Sequence, residues 1–115
     1  MKPNIIKEKS FQFAVNIVNL YKDLAYNKKE YTMSRQVLKS GTSIGANVRE
    51  AEFAQSKPDF ISKMSISLKE ANETDYWLDL LFATEFLSQE EYDKFKPKSQ
   101  EMLRLLVSIV KSSKE

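Results

Sequence analysis

Apolar residues recur along the chain at spacings of three and four, which is the period of an amphipathic helix. The first such stripe includes Phe11 and predicts a helix over residues 7–27. The polar run YNKKEYT then breaks the period. A second helix is predicted over residues 33–55, and the hydroxyl of Thr32 or Ser34 is expected to cap its first turn.

A third stripe predicts a long helix over residues 57–86. It begins at SKPDF, where Ser56 can accept hydrogen bonds from the first backbone N–H groups of the helix. Pro58 fits the first turn, since its missing N–H has no intrahelical partner there.

The segment LSQEEY begins a fourth helix, predicted over residues 89–112, in which Ser88 and Glu91 form a capping box. Pro97 lies well inside this helix, so a kink or short break is expected near it. The three connections are short, which favours antiparallel neighbours. The sequence therefore predicts one all-α domain over residues 1–115, an antiparallel up-down-up-down four-helix bundle.

The composition narrows the functions that such a bundle could have. The 115 residues include 42% hydrophobic residues, enough to form one core, and they contain neither cysteine nor histidine. This excludes disulfides, thiol nucleophiles, the usual zinc sites and imidazole catalysis. The N-terminal segment MKPNIIKEKS lacks the continuous apolar run of a signal peptide, and no stretch is long enough to span a membrane. We expect a cytoplasmic protein with no cofactor, no catalytic residues and no enzymatic activity.

The segment SRQVLKSGTSIGANVREAEFA in the second helix is unusually rich in small residues. Glycine destabilises a helix interior by roughly 0.5 to 1 kcal/mol relative to alanine, so Gly41 and Gly45 are expected to permit the close approach of a neighbouring helix. A second stripe of the same helix is polar but short-chained, and it predicts hydrogen-bonded contact with the third helix; the alternative is a face that is merely exposed to solvent. The members of this stripe are Ser40, Ser43, Asn47 and Glu50.

Three carboxylates, those of Glu50, Glu70 and Glu73, could converge between the second and third helices. A di-iron site of the kind found in helical bundles also requires histidines, which the chain lacks. We therefore predict that no metal binds there, and that Glu70, Glu73 and Asp75 pair with Arg35, Arg49 or lysines, or accept hydrogen bonds from Ser43 and Asn47 across the helix contact. Trp77 is interpreted as part of the helix contact rather than as a platform for a ligand.

The basic residues provide the alternative to a purely structural role. The formal net charge is only +2, so any contact with nucleic acid must come from local groups. Candidate phosphate contacts are Arg35, Arg49, Lys94, Lys96 and Lys98. The competing hypothesis is an adaptor that binds protein through apolar residues outside the core, such as Phe53.

Three segments, QVLKSGTSIGANVREA, SKPDF and LKEANETDYWL, resemble a family of small bacterial proteins. These proteins are encoded in the intervening sequences of 23S ribosomal RNA genes. The accessory variability protein of diversity-generating retroelements shares their fold. The resemblance covers residues 35–81 and implies a four-helix bundle that assembles as a ring, with a homopentamer as the expected form. It also implies association with structured RNA or a ribonucleoprotein, and it transfers no catalytic residue.

Overall fold

The structure is a computed structural model that describes residues 3–115. Its helices are α1 Pro3–Lys22, α2 Met33–Glu52, α3 Lys57–Ala83 and α4 Gln89–Ser113. α1 continues into a single π-helical turn, Asp23–Asn27. Residues 1–2, part of the segment predicted not to be a signal peptide, lie outside the described residues.

Successive helices run antiparallel and pack side by side. Ile17 of α1 lies against Gly41 of α2, while the earlier residue Ser10 lies against the later residue Gly45. Hydrogen bonds relate α2 to α3 and α3 to α4 in the same descending order. The bundle measures 44 × 20 × 19 Å, and α1 touches α4 less extensively than it touches α2. The prediction of an all-α four-helix bundle is confirmed.

Each helix contributes one apolar stripe to a single core. Residues with no more than 1% of their surface exposed include Ile6, Ile17, Leu24, Val37, Ile44, Met64, Leu78, Leu81 and Leu106. Because every helix contributes, the apolar surface of each is buried only when the four assemble. Across residues 3–115, none of the helices combines the length and the apolar character that crossing a bilayer would need.

The helix starts confirm two predicted caps and correct a third. Ser56 accepts a hydrogen bond from the backbone N–H of Asp59 at 3.2 Å, and Ser88 and Glu91 form the capping box. At α2, neither Thr32 nor Ser34 provides the cap. The carboxylate of Glu30 instead accepts from three successive backbone N–H groups, at 3.2, 3.1 and 2.7 Å. A carboxylate has two oxygens and a negative charge, so it satisfies more donors at a helix N-terminus than a hydroxyl can.

α2 and α3 each end three residues before the predicted boundary. After α3 the backbone of Glu85 is left-handed, with φ of 68°. This allows Phe86 N–H to donate to Leu81 O at 2.9 Å and Glu85 N–H to donate to Phe82 O at 3.1 Å. These two bonds form the Schellman motif that commonly ends helices, here without the usual glycine.

α4 is helical without interruption through Pro97, so no break occurs near that residue. The proline ring prevents the carbonyl of Asp93 from receiving its intrahelical hydrogen bond. Both residues are exposed, so water can donate a hydrogen bond to that carbonyl oxygen instead.

Candidate functional site

The two glycines of α2 both face α1. A Cβ atom added to Gly41 would lie 2.8 Å from Ile17 Cγ2, which is closer than carbon atoms can pack. One added to Gly45 would lie 3.3 Å from the backbone carbonyl oxygen of Ser10. The glycines therefore allow α1, rather than α3, to approach α2 closely.

Hydroxyl groups join α2 to α3. Ser67 donates to the carbonyl oxygen of Ile44 at 2.9 Å, and Thr74 donates to Ser40 Oγ at 2.9 Å. Ser40, Ser67 and Thr74 are fully buried. The predicted hydrogen-bonded contact between these helices is therefore present, and two of the four residues of the predicted stripe bridge to α3: Ser40 by a hydrogen bond and Glu50 by an ion pair.

Ser43 and Asn47 form hydrogen bonds within α2 instead of bridging to α3. Ser43 donates to Lys39 O at 2.6 Å, and Asn47 donates to Ser43 O at 2.8 Å. Trp77 is half-buried beside the core, and its indole N–H donates to Glu73 at 3.2 Å on the same helix.

The three carboxylates that could have formed a metal site have separate environments. Glu50 is exposed and pairs with Lys63 at 3.1 Å, an interaction that raises the pKa of Lys63. Glu73 accepts from Trp77, and Glu70 uses its backbone carbonyl to accept from Thr74. Over residues 3–115, no group of three carboxylates is arranged to hold a metal ion.

A polar network joins α3 to α4. The sequence predicted a cationic partner for Asp75, but not that this partner is Lys96, which was expected to contact phosphate. Lys96 donates to Asp75 at 2.7 Å and to Asp79 at 2.9 Å, and Ser99 donates to Asp75 at 2.9 Å. Tyr92 donates to Asp79 at 2.6 Å. Four-residue spacing of the acids on α3, and of Tyr92 and Lys96 on α4, was the available signal, because it places each pair on one helix face.

This network changes the acid–base behaviour of its members. Burial tends to raise the pKa of Asp79, but hydrogen bonds from Tyr92 and Lys96 outweigh it and leave the pKa below its ordinary value. Burial tends to lower the pKa of Lys96, but its bonds to Asp75 and Asp79 outweigh that effect and raise the pKa. Both shifts favour the charged forms, so the network is an internal ion pair.

The five candidate phosphate contacts fall into two groups. Lys96 has only 17% of its side chain exposed and is committed to two aspartates. The other four are exposed, and none forms an ion pair with any residue in the described part of the chain. They are Arg35, Arg49, Lys94 and Lys98.

Two surface grooves flank α1. Between α1 and α2 lies a mostly apolar groove of about 430 Å³, lined by Phe11, Ala14, Thr42 and Ala46 and bordered by Arg49. We call it the apolar groove. Phe11 is 58% exposed there, and Phe53, just beyond the end of α2, is 78% exposed.

The second groove lies between α1 and α4, and most of its lining residues are polar or charged. It consists of two adjoining depressions of about 300 and 160 Å³, which share Asn16 and Lys98. Its other polar lining residues are Lys9, Gln12, Asn19, Asp23, Glu91, Lys94 and Glu101. We call this the polar groove.

Comparison with known proteins gives a consistent assignment. The family described as "23S rRNA-intervening sequence protein" matches residues 2–108. A crystal structure of a protein of unknown function from the S23 ribosomal protein family of Bacteroides thetaiotaomicron is 58% identical in sequence. It superposes with a TM-score of 0.93 over 96% of this chain and 99% of that chain. No curated protein matches the chain.

Proposed function

The chain belongs to the 23S rRNA-intervening sequence protein family, and from this premise we propose that it is a non-enzymatic, cytoplasmic homo-oligomer that associates with structured RNA or a ribonucleoprotein. One observation carries the RNA part of the proposal. Four exposed cations, Arg35, Arg49, Lys94 and Lys98, have no ion-pair partner among the described residues. Such cations can bind phosphates without first breaking an internal pair.

Salt-dependent binding is the direct test of RNA association. A fluorescently labelled RNA hairpin is titrated with the protein, and fluorescence anisotropy is recorded between about 50 and about 200 mM salt. We expect affinity to fall steeply with salt, because each phosphate contact releases counterions. An anisotropy that does not change at the lowest salt contradicts the RNA association.

The apolar groove supports the homo-oligomer. Phe11 leaves a large apolar side chain exposed next to the small residues Ala14 and Ala46, a shape that a helix of a second copy would fill. Static light scattering measures the mass directly. The pentamer implied by the family resemblance requires five times the 13.4 kDa of one chain. We expect Phe11→Glu to reduce the mass to that of one chain, and a monomeric wild-type protein contradicts the oligomer.

A protein-binding adaptor is the second candidate function, and the exposure of Phe53 favours it. An aromatic ring that is 78% exposed and lies beyond a helix end can insert into a pocket of a partner. This function requires a partner whose binding survives nuclease treatment and is weakened by Phe53→Ala. If nuclease treatment releases the partner, the interaction depends on RNA, and this result supports RNA association instead.

A further inference from the structure

We propose that the polar groove between α1 and α4 is the surface that receives RNA, and that it takes an unpaired strand, such as a hairpin loop. The inference rests on the proposed function and goes beyond it by locating the contact and by naming the form of RNA that fits. Four observations support it: the length of the groove, the ion pairs that engage its carboxylates, the chemistry of its unpaired side chains, and the surroundings of the other candidate cations.

The groove is long enough to hold several nucleotides of a strand. Its lining on α1 and the first residue of the π-helical turn runs from Lys9 to Asp23, a distance of about 21 Å at the rise of an α-helix. The two depressions adjoin each other, since Asn16 and Lys98 line both. An elongated groove of this form follows a backbone rather than enclosing a compact small molecule.

The three carboxylates of the groove are all paired within the chain, by two lysines, which leaves one net negative charge against the two charges of Lys94 and Lys98. Lys28 lies 3.4 Å from Asp23 and 3.2 Å from Glu91, and Lys9 lies 3.1 Å from Glu101. Glu91 also caps α4 by accepting from the backbone N–H of Ser88, so its negative charge is engaged twice.

The groups that remain free are cationic or neutral. No side-chain hydrogen bond or ion pair engages them within residues 3–115, and each points into a groove whose acids are already paired. They are Gln12, Asn16, Asn19, Lys94 and Lys98. An incoming phosphate therefore meets two unpaired ammonium groups and no unpaired carboxylate.

The free groups have the chemistry of a single-strand site. Lys94 and Lys98 are one turn apart on α4, with about 5 to 6 Å between Cβ atoms at this spacing, so they can contact neighbouring phosphates. Amide side chains both donate and accept, as base edges and the 2′-hydroxyl require. Phe95 is half-buried in the groove wall, where a splayed base can stack on its ring. A duplex exposes few base edges and offers less to these amides.

The competing cations lie in less suitable surroundings. Arg49 borders the apolar groove beside Glu50, and Lys96 is held by Asp75 and Asp79. Arg35 is exposed at the beginning of α2 and lines none of the grooves described above. An acidic peptide could use the two free lysines, but it would leave the row of amides without base edges to bind.

The test compares two double substitutions that change the net charge equally. Lys94→Gln/Lys98→Gln alters the polar groove, and Lys39→Gln/Lys69→Gln removes two exposed, unpaired lysines from α2 and α3. Anisotropy titrations use a labelled hairpin with an unpaired loop and a duplex with the same stem sequence. We expect the groove variant to bind the hairpin about 25-fold more weakly at 0.1 M salt, with the salt slope reduced by about 1.4, while the control stays within about twofold.

A second pair of variants separates local contact from general charge. Asn19→Asp places a carboxylate in the groove, and Asn72→Asp makes the same change at an exposed position on α3. We expect only Asn19→Asp to weaken hairpin binding. Thermal unfolding followed by circular dichroism should give the same midpoint for all four variants and the wild type, since the substituted side chains are solvent-accessible and have no internal partner.

The outcomes distinguish the site from the function. Wild-type protein that binds no RNA at low salt overturns both. Wild-type binding that both lysine variants weaken equally, or that neither weakens, overturns the groove and leaves RNA association standing. Tighter binding to the duplex than to the hairpin overturns the unpaired strand. Polyglutamate that binds more tightly than the hairpin, with the same dependence on Lys94 and Lys98, assigns the groove to an acidic protein.

Discussion

The contact between α1 and α2 and the contact between α3 and α4 hold the bundle together by different means. At the first, Gly41 removes a side chain so that Ile17 can lie almost on the backbone of α2. At the second, Lys96 reaches across to two aspartates, and Ser99 and Tyr92 complete their hydrogen bonds. One contact depends on shape, and the other depends on charge and hydrogen-bond geometry.

The difference determines which changes alter the stability of each contact. A close-packed apolar contact responds to added volume and is unaffected by pH or salt. An ion-pair network responds to the loss of a partner and to the protonation of its members. Each type also fixes the register of its helix pair, since a shift along the axis separates the glycine from the isoleucine or the lysine from the aspartates.

The largest effect is expected from filling the gap at Gly41. Gly41→Ala gains about 1 kcal/mol in helix propensity but places a methyl group against Ile17, and overpacking costs up to about 3 kcal/mol. We expect a net loss of about 1 to 2 kcal/mol in the free energy of unfolding, measured by urea denaturation. Gly45→Ala, whose added atom would lie 3.3 Å from its neighbour, should lose less.

A double-mutant cycle establishes the cause. Ile17→Ala removes the Cγ atoms that the new methyl group would meet, so Gly41→Ala should be tolerated or stabilising in that background. If the losses of stability caused by the two single substitutions add up in the double variant, Gly41 is not there to make room for Ile17.

The next largest effect is expected at the other contact. Lys96→Met keeps most of the unbranched side chain but leaves Asp75 and Asp79 without their cation. Asp75 keeps Ser99 and Asp79 keeps Tyr92, so we expect a loss of about 1 kcal/mol in urea denaturation. Lys94→Met is the matched control, because Lys94 is exposed and unpaired nearby on the same helix, and it should change stability by less than about 0.5 kcal/mol.

A smaller effect is expected from pH, and only at the α3–α4 contact. The pKa of Asp79 lies below its ordinary 3.8, so its contribution is present above that value and is lost as pH falls through the lowered pKa. The pKa of Lys96 lies above 10.5, so its contribution is present below that value and is lost as pH rises through the raised pKa.

The stability difference between wild type and Lys96→Met should therefore be constant from about pH 5 to about pH 9 and shrink outside that range. Urea denaturation at each pH measures it. The loss caused by Gly41→Ala should not change with pH, since that contact contains no titrating group. If the loss of stability caused by Gly41→Ala varied with pH, or the loss caused by Lys96→Met did not, the two contacts would not differ in the way described.

How far the sequence could predict these features differs between them. Apolar periodicity predicted four helices, and the unusual Gly41 predicted a close approach, because glycine inside a helix needs compensation. The identity of the approaching helix depends on the register between helices, which periodicity does not specify. A cationic partner was predicted for Asp75, but its identity as Lys96 of α4 was missed for the same reason.

The predicted end of α3 and the predicted cap of α2 were wrong for local reasons. Glu85 adopts a left-handed conformation that usually requires glycine, so no sequence signal marked the end of α3. Glu30 caps α2 from outside the helix, at a position where hydroxyl residues drew the prediction. The polar groove could not be predicted either, because its lining comes from α1 and α4, the two helices that are farthest apart in the sequence.

The smallest effect is expected from two buried serines near α2, which test whether hydrogen bonding or burial matters in the interior between the two contacts. Both are fully buried, but Ser67 donates to Ile44 O, whereas the hydroxyl of Ser34 has no partner among the described residues. Ser67→Ala should lose about 0.5 kcal/mol, because it removes a cross-helix hydrogen bond. Ser34→Ala should gain about 0.5 kcal/mol, because it removes a buried polar atom that makes none. Equal losses in urea denaturation would mean that Ser34 has a partner in solution, and that the interior of the bundle is fully hydrogen-bonded.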